Sequence, residues 1–304
     1  MNPQEYLDNH VIDDIDFDKY LHSDEVAKIK PAGRYSDHVK ELFLLGDQQQ
    51  GLRLPWQKAD GFRFREGELT IWTGYNGHKK SMMQGFVMLG LMAQGGKGLI
   101  ASLEMQPKKT LWRMCKQFVG NSEPTMPYIE KYFDWLNGKL WLYDQVGTVK
   151  PDRMIAVARY AVQELGVTQV VIDSLMKCGI SGDDYNRQKS FVDELCAVAK
   201  DTGAHIHLVA HSKKPQEGKE SVPSSKYGVS GSAAITDMAD NVIISYSNKA
   251  EDRKFDQMLI CEKQRNGEEE PKYFLTFDER SLQFKGYSSA PTLTVEDWER
   301  CAWK

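Results

Sequence analysis

The stretch that most limits the fold lies between residues 67 and 94. A short β-type run, ELTIWTG, ends in a glycine, and GYNGHKKS occupies 74–81. A Met- and Leu-rich helical pattern then runs from Ser81 to Gln94. In a strand–glycine turn–helix unit, backbone N–H groups converge at the helix N-terminus and cradle phosphate. The usual pattern is G-x-x-x-x-G-K-[ST]. Gly74, Lys80 and Ser81 fall on it, and Gly77 adds a glycine inside the loop. Lys79 stands where the second glycine belongs. Glycine is usual there because the backbone approaches the phosphate closely. A lysine keeps the N–H, and with its side chain directed outward it leaves an altered site, not an abolished one. The candidate nucleotide-binding set is Gly74, Gly77, Lys79, Lys80 and Ser81. Lys80 would reach the β- and γ-phosphates of ATP or another NTP, and Ser81 would hold Mg²⁺. A Gly-Lys-Ser turn also arises by chance, so the loop alone does not decide.

The rest of the chain divides into three parts. Residues 1–50 are acidic, with helical apolar spacing at Leu7, Val11, Ile12, Ile15 and Tyr20 and a second helix expected over Ser36 to Leu45, stopped at Gly46. This part is too polar to fold alone and suits a segment that packs on something else. Residues 51–286 alternate strand and helix: KGLIASLE, KLWLYD, TQVVIDS and HIHLVAH as strands, with helices over Pro107 to Val119, Asp152 to Leu165 and Asn186 to Lys200. NVIISY, QMLICEK, KYFLTF and SLQF follow, and the turn residues Asn266-Gly267 and Asp278-Glu279 favour antiparallel hairpins. The expected fold is therefore α/β, a mostly parallel central sheet with an antiparallel C-terminal extension. Residues 287–304 read as a tail without an assigned role.

Composition narrows the function classes. The 39 Lys and Arg against 43 Asp and Glu give a net charge of −4. Any contact with nucleic-acid phosphate must then be local. Five scattered cysteines form no C-x-x-C pair, which argues against a zinc site or disulfide framework and fits a reducing compartment. The polar, acidic start is no signal peptide, and FVMLGLMA is too short to span a bilayer. The expectation is a cytoplasmic protein with no membrane partner.

In a parallel sheet, ligands bind off the carboxyl ends of the strands. TQVVIDS places Asp173 there, suited to binding Mg²⁺ through water; with Ser81 it makes the candidate metal pair. ASLEM places Glu104 at another strand end, where a carboxylate would orient and deprotonate the attacking water. His211 closes HIHLVAH and would sense the γ-phosphate. Each residue alone has an ordinary reading as a surface or helix-start polar group. Four strand ends carrying Lys/Ser, Glu, Asp and His are harder to dismiss together.

These motifs, in this order, resemble the RecA-type ATPase core of ring-shaped replicative helicases: the DnaB group, and more closely phage primase-helicases and the mitochondrial helicase Twinkle. The matching stretches are REGELTIWTGYNGHKKS, ASLEMQPKKTLWRM, VVIDSLMK, HLVAHSKKP, VSGSAAITDMADNVI and EKQRNGE, spread over residues 51–285. The resemblance covers the helicase half alone, so a stand-alone helicase or a helicase fragment is expected, with a separate primase or polymerase as a further partner. It implies a RecA-like fold, ATP hydrolysis with Lys80, Ser81, Glu104, Asp173 and His211 as the in-subunit set, and a homo-oligomeric, hexameric ring. It also implies that Lys263 and Arg265 reach the neighbouring subunit's ATP; by composition alone they read as a solvated hairpin tip. The implied partner is single-stranded DNA, tracked 5′ to 3′. The Gly/Ser/Pro-rich loop after His211, with Lys213, Lys214, Lys219 and Lys226, and the MKCGISGDDYNRQK segment after Asp173 would grip its backbone. Aromatic residues in these loops are sparse (Tyr185, Tyr227), which favours backbone tracking over base stacking. In family rings a helix before the core packs on the next subunit, a role open to the N-terminal segment.

Two other readings share most of these motifs. One is a RecA-fold DNA-binding ATPase or accessory that does not unwind. The other is a non-hydrolysing relative in which Lys79 has spoiled the loop. A small-molecule kinase would need an acceptor site and an Arg-rich lid, and the sequence offers neither.

Overall fold

The computed structural model describes residues 30–45, 51–213, 224–229, 233–287 and 289–303. The expected helix over Leu7 to Tyr20, the stop at Gly46, and Lys214 and Lys219 lie outside the described residues.

Eleven strands are described: β1 (Leu52–Arg53), β2 (Arg63–Phe64), β3 (Leu69–Thr73), β4 (Gly98–Ser102), β5 (Leu140–Leu142), β6 (Gln169–Asp173), β7 (His205–Val209), β8 (Asn241–Ser247), β9 (Gln257–Gln264), β10 (Lys272–Asp278) and β11 (Gln283–Lys285). β1 and β2 form a small antiparallel pair. The other nine make one sheet in the order β11-β10-β9-β8-β3-β7-β6-β4-β5. From β8 through β3 to β5 every pairing is parallel. β8, β9, β10 and β11 pair antiparallel. β3, β4, β6 and β7 are buried along their whole length, as their unbroken apolar runs require when helices cover both faces.

Eight helices are described: α1 (Ser36–Leu45), α2 (Lys80–Ala93), α3 (Pro107–Val119), α4 (Met126–Leu136), α5 (Pro151–Leu165), α6 (Tyr185–Thr202), α7 (Ala233–Met238) and α8 (Val295–Arg300). Side chains alternate along each strand between two cores. Trp72, Ile100, Val171 and Val209 face α2, α3 and α4. Ile71, Leu99, Ile172 and Leu208 face α5 and α6. α2 is apolar nearly all round, which fits its burial against the sheet on one side and α3 on the other.

Two regions differ from the sequence reading. α4 is not marked by the sequence pattern, because Glu130, Lys131 and Asp134 interrupt its apolar face; it buries Tyr132 and Leu136. The C-terminal stretch is no loose tail. Thr294 and Asp297 form a reciprocal capping box that starts α8. Trp298, fully buried, packs edge-on to Phe86 of α2 at 5.4 Å and to Trp303 at 5.2 Å. α1 has the expected bounds and leaves Phe43 86% and Leu44 85% exposed. Among the described residues no helix is long and apolar enough to cross a membrane.

Candidate nucleotide-binding and catalytic site

β3 delivers the phosphate loop to the carboxyl edge of the sheet, and α2 begins directly after it. Gly74 has φ 140°, and a Cβ there would collide with the Ser245 carbonyl of β8, so only glycine fits. Gly77 and Lys79 both adopt left-handed backbone, φ 78° and 57°. Residue 79 therefore has the conformation that a glycine would supply freely. The lysine meets it at a cost of roughly 1–2 kcal/mol. Its side chain leaves the loop, and Nζ lies 4.7 Å above the Phe277 ring of β10. That cation–π contact returns about 0.5–1 kcal/mol.

Lys80 is buried and points back along the loop, donating to the carbonyls of Gly74 at 2.8 Å and Tyr75 at 2.9 Å. Burial pushes its pKa down to about 8, opposed by the Asp173 and Glu104 carboxylates. Ser81 donates from Oγ to Asp173 Oδ2. Asp173 is buried at the end of β6, and burial raises its pKa against the Ser81 hydrogen bond. A hydroxyl and a carboxylate brought together beside a phosphate loop are the oxygen donors that suit Mg²⁺, which keeps most of its coordination for phosphate and water. Ser81 and Asp173 would hold it.

Glu104 lies just past β4 and accepts from Ser174 Oγ at 2.9 Å and from His211 Nε2 at 3.3 Å. The His211 bond is the main cause that takes its pKa to about 2, with burial opposing and Ser174 assisting. It is an ionised carboxylate at neutral pH. Lys80, Ser81, Asp173, Glu104 and His211 thus form one linked group, drawn from four strand ends.

The structure keeps Lys263 and Arg265 apart from that group. Lys263 Nζ donates to the carbonyls of Thr236, Asp237 and Ala239 at 3.0, 2.7 and 2.7 Å, at the C-terminal end of α7. Arg265 donates to the Asp237 and Met238 carbonyls at 3.1 and 3.3 Å and stands 3.5 Å from Asp240. Both sit where β9 meets the start of β8, whereas the other end of β9 meets the phosphate loop. Six residues of extended chain put Lys263 about 20 Å from that loop. Lys226 donates to the Glu262 carbonyl at 3.2 Å, and Lys213 is exposed beside His211.

Sequence reasoning missed His78, Ser174 and Phe277. His78 is buried between Tyr75 and Tyr246, with ring centroids 5.3 and 5.4 Å away. Burial, then the charges of Lys249, Lys80 and Lys79, push its pKa to about 4. No motif marks it. A cavity of about 430 Å³ opens beside the loop, lined by Gly77, Lys79, Ser247, Lys249 and Phe277 among others. A larger cleft of about 540 Å³ between β10, β11 and the C-terminal segment includes none of the catalytic candidates.

Comparison with known proteins bears on the fold and the family. A family model described as an AAA domain matches residues 57–217, more than half of the chain. The DNA helicase/primase of Enterobacteria phage T3 is 27% identical over 248 residues, covering 74% of this chain and 42% of its own length. The chloroplastic/mitochondrial Twinkle homolog protein of Arabidopsis thaliana is 24% identical over 226 residues, covering 67% of this chain and 31% of its own. The chain therefore spans less than half the length of either relative. Two solved structures superpose with a TM-score of 0.68 and 13% identity over 85% of this chain. One is a DnaB-like replicative helicase studied with primase, covered over 67%; the other is an ATPase domain, covered over 99%. With its phosphate loop, its RecA-like sheet and a family match along more than half its length, the chain belongs to the AAA domain family and has the fold of a DnaB-like helicase core.

Proposed function

We propose that this chain is the ATP-hydrolysing motor of a replicative-type DNA helicase, working as a ring on single-stranded DNA in the 5′ to 3′ direction. The observation that carries the reading is the linkage of Lys80, Ser81, Asp173, Glu104 and His211 at one sheet edge. Lys80 binds the terminal phosphates. Ser81 and Asp173 would hold Mg²⁺, which would supply positive charge against the phosphoryl oxygens. Glu104, held ionised by His211 and Ser174, orients the attacking water and takes its proton. His211 connects that carboxylate to the loop after β7. The base and ribose would occupy the cavity beside Gly77 and Phe277.

A ring is favoured by the far placement of Arg265. A cation just past the far end of β9, about 26 Å of extended chain from its own phosphate loop, would act on nucleotide in another subunit. α1 supplies the means of assembly. Its exposed Phe43 and Leu44 would dock on a neighbour's exposed Trp112, Met126 and Phe133 on α3 and α4. Lys213 and Lys214, Lys219 and Lys226 would line the DNA path. The outward course of Lys79 favours a working loop over a disabled one.

The test is ATP hydrolysis with and without single-stranded DNA, alongside mass measurement of the assembly. The expected result is DNA-stimulated hydrolysis by an oligomer, abolished by Lys80→Ala. A protein that stays monomeric with ATP, Mg²⁺ and DNA and hydrolyses nothing overturns the reading.

A further inference from the structure

Hydrogen bonds from the antiparallel side of the sheet to the phosphate loop converge on His78. Ser245 Oγ donates to the His78 carbonyl at 3.0 Å, and Gln257 Nε2 donates to the same oxygen at 3.2 Å. The Ser247 backbone N–H donates to His78 Nδ1 at 3.1 Å. The three partners are also joined to each other: Gln257 Nε2 to Ser245 Oγ at 2.7 Å, and Ser247 Oγ to Gln257 Oε1 at 2.6 Å. His78, Ser245, Ser247 and Gln257 are all buried, and Gln257 and Ser245 have no exposed surface. Burying four polar side chains is costly unless every bond is made, and an apolar set would fill the same space. The network thus does something packing alone would not.

Its position says what. His78 stands between Gly77 and Lys79, the two residues with left-handed backbone. A non-glycine residue resists that conformation, so a loop without its second glycine tends to relax out of shape. Bonds to both the carbonyl and the ring of the intervening residue oppose that relaxation. We propose that Gln257, Ser245 and Ser247 are positioning residues that hold the phosphate loop, through His78, in its nucleotide-receiving shape before nucleotide arrives. The proposal rests on the nucleotide-binding reading of the loop.

The test uses the full chain with Gln257→Leu, which keeps bulk and removes the amide, and Gln257→Glu, which keeps an acceptor for Ser247 but loses both donors. Amide hydrogen exchange is followed in the nucleotide-free protein, and Mg²⁺-ADP binding and steady-state ATP hydrolysis are measured beside it. Residues 74–81 exchange faster in both variants while α5 and α6, on the opposite face, keep wild-type rates. The dissociation constant and KM rise about tenfold, with kcat held within about twofold, since the lost bonds shape the empty site and leave the reacting groups in place. Should Gln257→Leu fail to fold, Ser245→Ala removes the hydroxyl that joins Gln257 to the His78 carbonyl and gives the same pattern more weakly. Unchanged exchange at 74–81, or kcat and KM at wild-type values, overturns the proposal. A wild-type protein that binds no nucleotide instead refutes the functional reading, while the exchange rates still decide whether the network holds the loop.

Discussion

The two flanks of β3 both begin with a parallel neighbour, then differ in strand direction and in use. On one side β7, β6 and β4 run parallel to it, and residues at or just past their ends, His211, Asp173 and Glu104, form the linked group around Ser81. On the other side β8 to β11 turn antiparallel and bring no carboxylate to that group. They bring Ser245, Ser247 and Gln257 under the loop, Phe277 under Lys79, and Arg265 at the distant end of β9. A parallel strand always offers the same end to the ligand edge, so it is suited to collecting reactive groups there. An antiparallel strand joins both edges of the sheet, so one strand can brace its own site and extend toward another.

The sharpest way to break that contrast is Arg265→Ala. If β9 serves a neighbour, DNA-stimulated hydrolysis falls by about 10³–10⁵-fold, the range of an arginine finger, while Mg²⁺-ADP binding is kept. Mixing this variant with Lys80→Ala then restores part of the activity, because an intact loop meets an intact arginine at some interfaces. No recovery on mixing would mean that Arg265 only fastens the end of α7. Next in size is Glu104→Gln on the parallel flank. It removes the base and its charge, and hydrolysis falls by about 10²–10⁴-fold. Single-turnover hydrolysis of pre-bound ATP measures it, and mixing with Arg265→Ala should again restore part of the activity, at the interfaces where an intact Glu104 faces an intact Arg265.

The parallel flank was legible from sequence and the antiparallel flank much less so, for a physical reason. Asp173 and His211 end unbroken apolar runs, and Lys80 and Ser81 sit at a fixed offset from Gly74, so strand ends and spacing announce them. Ser245, Ser247 and Gln257 lie within strands, and their role depends on which strand pairs with which across more than 150 residues of chain. Period-two alternation marks them as facing one side and says nothing about His78. Phe277 reads as one more aromatic in a strand until Lys79 is seen above it. α8 leaves little trace in the sequence because six residues make too short a pattern, although Thr294 and Asp297 carry its start signal.

Acid sensitivity is expected from the parallel flank, in addition to the buried His78 under the loop. His205 and His207 of β7 are fully buried; burial pushes His205 down to about 4 and His207 well below its usual value. Thr70 and the Arg65 carbonyl partner His205 at 2.8 and 2.6 Å, and Trp72 and Gln169 partner His207 at 3.1 and 3.0 Å. Each ring is thus fixed neutral, one nitrogen donating and one accepting. Unfolding frees both to protonate near pH 6.5. Their stabilisation is complete above that pH and is lost as pH falls towards 4, because the unfolded chain then binds protons that the folded one does not. Urea unfolding at stepped pH should show stability falling by up to about 1.4 kcal/mol per pH unit for each histidine. A flat profile between pH 6.5 and 4.5 would contradict the buried neutral pair.

The smallest effect is expected at the residue that departs most visibly from the loop pattern. Lys79→Gly relieves a left-handed lysine, a gain of roughly 1–2 kcal/mol. It also removes the cation above Phe277, worth about 0.5–1 kcal/mol, and gives the unfolded chain the extra freedom of a glycine, about 0.5–1 kcal/mol. These terms nearly cancel, so folding stability should move by less than about 1 kcal/mol. Nucleotide contact should change little too, since the 79 N–H is retained and the side chain that is lost already points away from the loop. Hydrolysis by Lys79→Gly should stay within about threefold of wild type, a difference of less than 1 kcal/mol in barrier. A gain of a hundredfold would mean that the lysine had disabled the loop. The bracing from β8 and β9 would then fall short of replacing the missing glycine, and the division of labour between the two flanks would be incomplete at the point where they meet.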